Sequence, residues 1–398
     1  MPNARANNPG TGSARLSPMT ALLVRTARAE PGVGVDVARL AGAVGDWERL
    51  LDQAHRHCTV PMLHRNLRAA PEGAIPDAAS ERIARQAKAT AVSNLQRTGE
   101  LVRLVGLLEA RSITVLAYKG PVLAMLLYGD VALRQFGDLD LLVAGDDVAR
   151  AAEVLASAGY RATRGDALAA GLPLPAEGQL MYVREHPRCA VELHWRVVQR
   201  HLRVAFEFRE LAARSIAIEI GGTTIRTLAP DDLLLVLSAH HTKHRWERLQ
   251  WIAEVSELVE RRDALGLDLD RALEQARALG IERMVRLGLR LGLDLWGLDL
   301  PPSLRADLAA DTEIGVLARE VYRALDEREG RLSDVADRVA FQRRARDRSR
   351  DRLVMRASRV FEPSLDDRSV VRLPRFLYPL YYVIRPVRLL IERLLGRR

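Results

Sequence analysis

Only two cysteines, Cys58 and Cys189, occur in the 398 residues. So few argue against a disulfide framework and fit a reducing compartment. The first residues, MPNARANNPGTGSARLSP, lack an apolar signal core. They are polar and rich in Gly, Pro and Asn, which points to a flexible tail over residues 1–16, no export and a cytoplasmic chain. An ordinary membrane span is also missing. The most apolar stretch, RFLYPLYYVIRPVRLLIERLLGRR at the end, is interrupted by Pro379, Arg385, Pro386, Arg388, Glu392 and Arg393. Lysine is nearly absent as well: Lys88, Lys119 and Lys243 are the whole set. In a chain whose other cations are all arginine, a lysine marks a position where arginine would not serve.

What is present describes an ordinary globular protein, with 48% hydrophobic and 28% charged residues. The net charge of +9 is unevenly spread. Arg331 to Arg398 holds 18 arginines against 8 acidic residues, and the rest of the chain is close to neutral. Basicity therefore belongs to a C-terminal extension over 331–398. That extension is either a solvated helical surface or a contact with an anionic membrane surface, an acidic partner or nucleic acid. Its final apolar stretch is either an interfacial helix, making the chain peripheral to a membrane, or a helix packed back on the domain.

Apolar periodicity predicts a helical lobe over 17–111. Trp47, Leu50, Leu51 and Ala54 share one helix face, and Val60, Met62 and Leu63 begin another helix. A long helix over 78–110 would bury Ile83, Ala87, Val92, Leu95, Leu101, Leu104 and Leu108. His55, His57 and His64 have only Cys58 among them as a further ligand type, so no metal site is expected there. From Pro230 the pattern is helical again. A C-terminal lobe over 230–330 includes helices near 230–244, 249–258, 268–279, 281–293, 302–310 and 312–327. A long Arg-rich helix should follow over about 334–358.

Between the lobes, residues 112–229 read as a small mixed-sheet core. Ile113 to Ala117 is a strand, and Tyr118, Lys119 and Gly120 turn into a helix ended by Gly129. Arg134 lies in a loop, as a salt-bridge partner of the aspartates, a phosphate contact, or both. Asp138 to Val143 is a second strand. Alternation with period two puts Asp138 and Asp140 on one face and Leu139 and Leu141 on the other. Two carboxylates side by side repel each other, but they seat a divalent cation well. Asp146 should cap a helix from Asp147 to Ala158. A Gly/Pro/Ala-rich loop, Gly165 to Gly178, leads to a strand pair over 180–184 and 190–196. On its second strand Val191, Leu193 and Trp195 face one way, and Glu192, His194 and Arg196 the other. That polar face is either a solvent edge or part of a site. A hairpin turns at Gly221-Gly222.

The order strand, small-residue turn, helix, D-x-D strand and later acidic strand resembles the polymerase β-like nucleotidyltransferase superfamily. More narrowly, the chain resembles the uncharacterised nucleotidyltransferase family NTP_transf_5. The resemblance lies in Lys119-Gly120, Leu127-Tyr128, Arg134 and Gly137-Asp138-Leu139-Asp140-Leu141-Leu142-Val143. It continues in Glu192-Leu193-His194-Trp195, Pro230-Asp231-Asp232-Leu233-Leu234 and the His240 to Trp251 region. It implies an α+β nucleotidyltransferase core with helical flanks, moving an NMP group from an NTP to an acceptor with release of pyrophosphate. By the same resemblance Asp138, Asp140 and Glu192 would hold Mg²⁺ or Mn²⁺. Lys119, Gly120 and Arg134 would contact the nucleotide, with ATP the first candidate. His194, His240, His241 and Lys243 would face the substrate or acceptor, which is a small molecule, glycan precursor, peptide or protein. The chain departs from the wider pattern in having Lys119-Gly120 where Gly-Ser is usual, Glu192 where Asp is usual, and Glu254 where the narrower family often has Asp.

Two other readings share the D-x-D motif. A glycosyltransferase would use it to bind a metal-nucleotide-sugar, but the Lys-Gly turn upstream and Glu192 on a neighbouring strand count against that. A catalytically quiet binding protein that keeps the fold would bind nucleotide and tolerate Asp138→Ala.

Overall fold

The computed structural model describes residues 16–29, 34–163, 174, 178–198, 204–326, 335–361, 367, 370–371 and 373–394. The tail over 1–16 and the loop Gly165–Gly178 lie, but for a few positions, outside the described residues. In chain order the elements are α1 (Pro18–Thr26), α2 (Gly34–Gly42), α3 (Trp47–Arg56), α4 (Val60–Leu67) and α5 (Asp77–Glu109). Then come β1 (Val115–Ala117), α6 (Gly120–Tyr128), β2 (Asp138–Val143), α7 (Val148–Ser157), β3 (Arg161–Ala162), β4 (Gln179–Arg184) and β5 (Cys189–His194). They are followed by α8 (Phe208–Arg214), β6 (Ile216–Ile220), β7 (Thr223–Thr227), α9 (Pro230–Lys243), α10 (Leu249–Glu260) and α11 (Arg262–Leu265). The rest is helical: α12 (Leu269–Leu279), α13 (Glu282–Trp296), α14 (Pro302–Ala310), α15 (Thr312–Asp326), α16 (Val335–Arg344), α17 (Ser349–Phe361) and α18 (Tyr381–Leu394). This is the expected α+β fold, a mixed sheet with helical flanks.

The chain divides into two compact units. Among the described residues, the first holds those within Met1–Gly99, Lys119–Phe136 and Ala229–Ala345, and the second those within Glu100–Tyr118, Gly137–Leu228 and Arg346–Arg398.

The second unit is built on a five-stranded sheet of order β1-β2-β5-β4-β3. β2 pairs antiparallel with β1 and parallel with β5, in the register Asp138↔Ala190, Asp140↔Glu192 and Leu142↔His194. Leu139, Leu141, Val191 and Leu193 are buried, so the apolar set of both central strands is shielded from water. Strand β5 stops at His194, where the backbone N–H groups of Trp195 and Arg196 donate to the Gly178 carbonyl. Glu100 on α5 ties the far side of the sheet together. It accepts from Tyr160 Oη at 2.8 Å and pairs with Arg184 at 3.0 Å and Arg103 at 2.6 Å. The β6–β7 hairpin turns on Gly221 (φ +59°) and Gly222 (φ +77°). Both are left-handed, as a type I′ turn requires, and glycine adopts that conformation without a Cβ clash.

Helix α7 differs from expectation at its start. A 3₁₀ turn over Gly145–Asp147 precedes it, Asp147 is the N-cap residue, and Asp146 does not cap. The Asp147 carboxylate instead accepts from Arg150 at 2.6 Å. The Arg-rich helix expected over 334–358 is two helices, α16 and α17, broken at 345–348. Within the break Arg346 is fully buried, bonded to Asp351, and its carbonyl accepts from Arg352 Nε. A continuous solvated helix would leave no reason to bury that guanidinium. On α5, Val92 and Leu95 are exposed, whereas the other expected core positions are buried.

The first unit is all helix. Helix α9 is apolar on nearly every face and is buried along most of its length. Its first-turn carboxylate, Asp231, accepts from the Asp268 N–H at 3.0 Å and Arg271 Nε at 2.5 Å. At its end Arg245 and Trp246 take left-handed φ of 56° and 55°. That strain is held because the Trp246 ring is completely buried and donates to Thr242 Oγ1 at 3.1 Å. Helix α13 reaches this ring through a glycine: a Cβ on Gly288 would lie 2.6 Å from Trp246 Cη2. Gly288→Ala should therefore cost roughly 1–3 kcal/mol through overpacking against a rigid ring. Gly106→Ala, on an exposed face of α5 with nothing within 4 Å of the new Cβ, should instead stabilise by about 0.5–1 kcal/mol. Urea unfolding of both variants checks the contrast; equal effects would contradict the close approach at Gly288.

Candidate functional site

In the second unit the parallel register of β2 and β5 sets Asp140 beside Glu192. His194, two residues further along β5, projects to the same face. Its Nε2 lies 3.1 Å from Asp140 Oδ1 and 3.2 Å from Glu192 Oε2. One ligand atom from each of Asp140, Glu192 and His194 lies within 4.8 Å of the others. Asp140 and His194 are buried and Glu192 is half-buried. Asp138, two positions before Asp140 on β2, sits opposite Ala190 and is half-buried. Tyr118, at the end of β1, packs edge-on against the imidazole with ring centroids 5.5 Å apart.

The charges follow from this packing. Burial alone would favour a neutral His194, but the hydrogen bonds and charges of Asp140 and Glu192 outweigh it and raise its pKa. Burial, then the nearby charges of Asp140, Glu192 and Asp138, raise the Tyr118 hydroxyl well above its ordinary value. The phenol stays neutral beside the carboxylates.

The donor set suits a divalent cation. Two carboxylates match the oxygen preference of Mg²⁺ and Mn²⁺, and an imidazole is a further ligand type for Mn²⁺. The other imidazole nitrogen, His194 Nδ1, is buried with no hydrogen-bond partner among the described residues. That leaves the ring held through Nε2 alone, on the side of the carboxylates.

The remaining sequence candidates lie in the first unit. Lys119 is the N-cap residue of α6, and Gly120 opens the helix with φ +51°. A side chain at Gly120 would be strained by that left-handed turn. Pro121 follows in the first turn, and Gly129 ends the helix at φ +68°. Arg134 follows the short 3₁₀ turn Val131–Leu133, and its Nε lies 2.9 Å from Glu254 Oε1 on α10. Both side chains are buried. Gln250 Nε2 donates to the same oxygen at 2.8 Å, and Gln250 Oε1 accepts from the Gln135 N–H at 3.2 Å. Asn94 Nδ2 donates to the carbonyls of Val131 and Arg134 at 2.8 and 2.7 Å. The loop that carries Arg134 is thus pinned from two helices.

His240, His241 and Lys243 occupy the last turn of α9. His241 stacks on Trp251 at 5.4 Å and 11°, and its Nε2 lies 3.3 Å from Glu254 Oε2. His240 and His244 face one another at 5.0 Å. Burial lowers the pKa of all three histidines, His244 to about 3; Lys119 adds positive charge beside each, Lys243 beside His240 and His244, and Glu254 partly opposes the shift of His241. They are neutral imidazoles at neutral pH.

With this geometry in view, comparison with known sequences is decisive for the family. The pattern of NTP_transf_5, described as an uncharacterised nucleotidyltransferase, matches residues 44–297. The chain belongs to this family. The matched span of this NTP_transf_5 member includes β1 to β5, the Lys119-Gly120 turn, Arg134 and α9 to α13, and it leaves out the basic C-terminal extension. Comparison with curated proteins gives no match. Nucleotidyl transfer in general is the chemistry that the family name carries.

Sequence reasoning singled out the D-x-D strand, Glu192 and His194 but did not place His194 between the two carboxylates. It gave Glu254 no role beyond a family position, because its buried partnership with Arg134 spans 120 residues. Tyr118, a turn residue by its sequence context, stands as the wall beside His194.

The buried ionisable groups of the first unit predict an acid-sensitive fold. Burial pushes the Glu254 carboxyl up, but Arg134, then His241 and Gln250, outweigh it and hold it at about 2 against an ordinary 4.5. Burial, reinforced by Arg56, pushes buried His57 down to about 4 from 6.5. Both folded values lie below the unfolded ones, so the unfolded chain binds the extra proton. The His57 contribution is intact above about 6.5 and lost as pH falls towards 4; the Glu254 contribution is intact above about 4.5 and lost towards 2. Stability measured by urea unfolding should fall with pH through both windows. Glu254→Gln should flatten the lower one and cost about 3–5 kcal/mol at neutral pH by removing the buried carboxylate that faces Arg134. A pH-independent midpoint between 4 and 6.5 would contradict the His57 assignment.

Proposed function

We propose that this NTP_transf_5 member transfers a nucleoside monophosphate from an NTP, with ATP the first candidate, to an acceptor hydroxyl. The observation that carries the reading is the register that aligns Asp140 with Glu192 on parallel strands, with His194 between their oxygens. Asp140 and Glu192, joined by Asp138, are the residues that would hold Mg²⁺ or Mn²⁺. A cation there neutralises triphosphate charge and favours departure of pyrophosphate. The Lys119-Gly120 turn supports phosphate binding, because a helix N-terminus offers free backbone N–H groups and Lys119 adds a full charge. Arg134, His240, His241 and Lys243 of the first unit are carried as nucleotide or acceptor candidates by the family resemblance alone.

In the proposed step the acceptor oxygen attacks the α-phosphorus. The bond from that phosphorus to the α,β-bridging oxygen breaks, and pyrophosphate leaves. The acceptor proton passes to the Glu192 carboxylate, which His194 holds in orientation. A buried and a half-buried carboxylate paired in this way are better suited to such a role than to stability, since their mutual repulsion is unfavourable without a cation or proton between them.

Incubation with each α-labelled NTP, Mg²⁺ or Mn²⁺ and a cell extract as acceptor pool tests the proposal. The wild-type chain should transfer label to one acceptor class with release of pyrophosphate. Asp140→Asn should lower the rate by about a hundredfold or more, with an unchanged circular dichroism spectrum. Equal labelling by both proteins would sink the assignment.

A further inference from the structure

Helix α18 is rotated opposite to an ordinary surface helix. Val383, Val387, Leu390 and Ile391 fall within an arc of about 100° on one face, and they are 61%, 52%, 59% and 49% exposed. Just before them Phe376 is 80% exposed, and Leu380 and Tyr382 are also open to solvent. The charged face is turned inward. Arg385 Nη1 and Arg388 Nε bond to Asp367 at 2.9 and 2.7 Å, and Asp367 is fully buried. Arg388 also bonds to Glu392. Tyr381 Oη donates to the Val371 carbonyl at 2.6 Å and accepts from the Leu373 N–H at 3.1 Å. These bonds fix the helix with its apolar stripe facing out.

A contiguous apolar face of this kind marks a binding surface, and the surrounding charge says which. The extension Arg331–Arg398 carries 18 arginines against 8 acidic residues, while the rest of the chain is nearly neutral. Two copies meeting through this face would bring two such excesses together, which disfavours self-association. An apolar protein groove would cover the stripe but leave the excess cations unexplained. An anionic bilayer accounts for both: acyl chains take the aliphatic stripe, the headgroup layer suits Phe376 and Tyr382, and lipid phosphates attract the cations. Spanning is not implied, since among the described residues no helix is long and apolar enough to cross a membrane, and Pro386 sits inside this one.

We propose that α18 lies in the plane of an anionic lipid surface and seats the protein there through Val383, Val387, Leu390 and Ile391. This does not depend on the nucleotidyl-transfer reading. The test is sedimentation of the full chain with vesicles of phosphatidylcholine alone, or with about one third replaced by phosphatidylglycerol. The chain should bind the anionic vesicles at least about tenfold more tightly than the neutral ones, with the preference shrinking as salt rises. A combined Val383→Asp, Val387→Asp and Leu390→Asp variant should lose binding and keep its thermal midpoint, because these side chains are exposed. Three outcomes would overturn the proposal: no sedimentation of the wild type, equal binding to both vesicle types, or a dimer in light scattering that the same variant dissolves.

Discussion

The candidate site depends on one pairing, the parallel register that sets Asp140 opposite Glu192. Their oxygens lie within 4.8 Å of one another, where two carboxylates repel by roughly 3 kcal/mol at an effective dielectric constant of about 20. A strand pair chosen for stability alone would slip by one residue or replace one acid. Here the register is locked by Leu139, Leu141, Val191 and Leu193, which are buried and would all be turned to the other face by a one-residue slip. The apolar half of each strand therefore holds the acidic half in an unfavourable arrangement. His194 relieves it, because its raised pKa places a proton between the two acids. A divalent cation would relieve it more completely, and the repulsion is a physical reason to expect one.

The first unit holds its own charges by a different route. Arg134 and Glu254 are both buried, with Gln250 donating to the Glu254 carboxylate, His241 beside it, and Asn94 donating to the Arg134 carbonyl. Such a network adds little net stability but fixes geometry, since breaking one member strands a charge. Its effect is to hold the Arg134 loop against α10 and to keep the His241 ring stacked on Trp251. Burial, with Lys119 adding positive charge, keeps the histidines of the same neighbourhood neutral rather than cationic.

Much of this was legible in the sequence, for identifiable reasons. Period-two alternation around Asp138 and Asp140 and around Glu192 and His194 gave the two strands and their polar faces. Helix boundaries from α9 to α15 lay close to those read from apolar periodicity, because glycine and proline punctuate them; Gly266, Gly280 and Gly297 all take left-handed φ just past helix ends. What escaped was non-local. The join of β2 to β5 passes over α7 and two other strands, so the meeting of Asp140, Glu192 and His194 has no local signal. The break at Arg346 and the inward turn of Arg385 and Arg388 both depend on acidic partners elsewhere in the chain. Exposure of Val92 and Leu95 on α5 is the same lesson reversed, since an apolar residue at helical spacing is buried only where something covers it.

The central claim is that the carboxylates of β2 and β5 form a seat for a divalent cation bound with nucleotide. A crystal grown with Mn²⁺ and a non-hydrolysable ATP analogue, measured at a wavelength where manganese scatters anomalously, tests it most directly. The account predicts an anomalous peak within bonding distance of both the Asp140 and Glu192 carboxylates, touching a phosphate oxygen of the analogue. A peak seated elsewhere, or nucleotide bound with no peak at these residues, would contradict it.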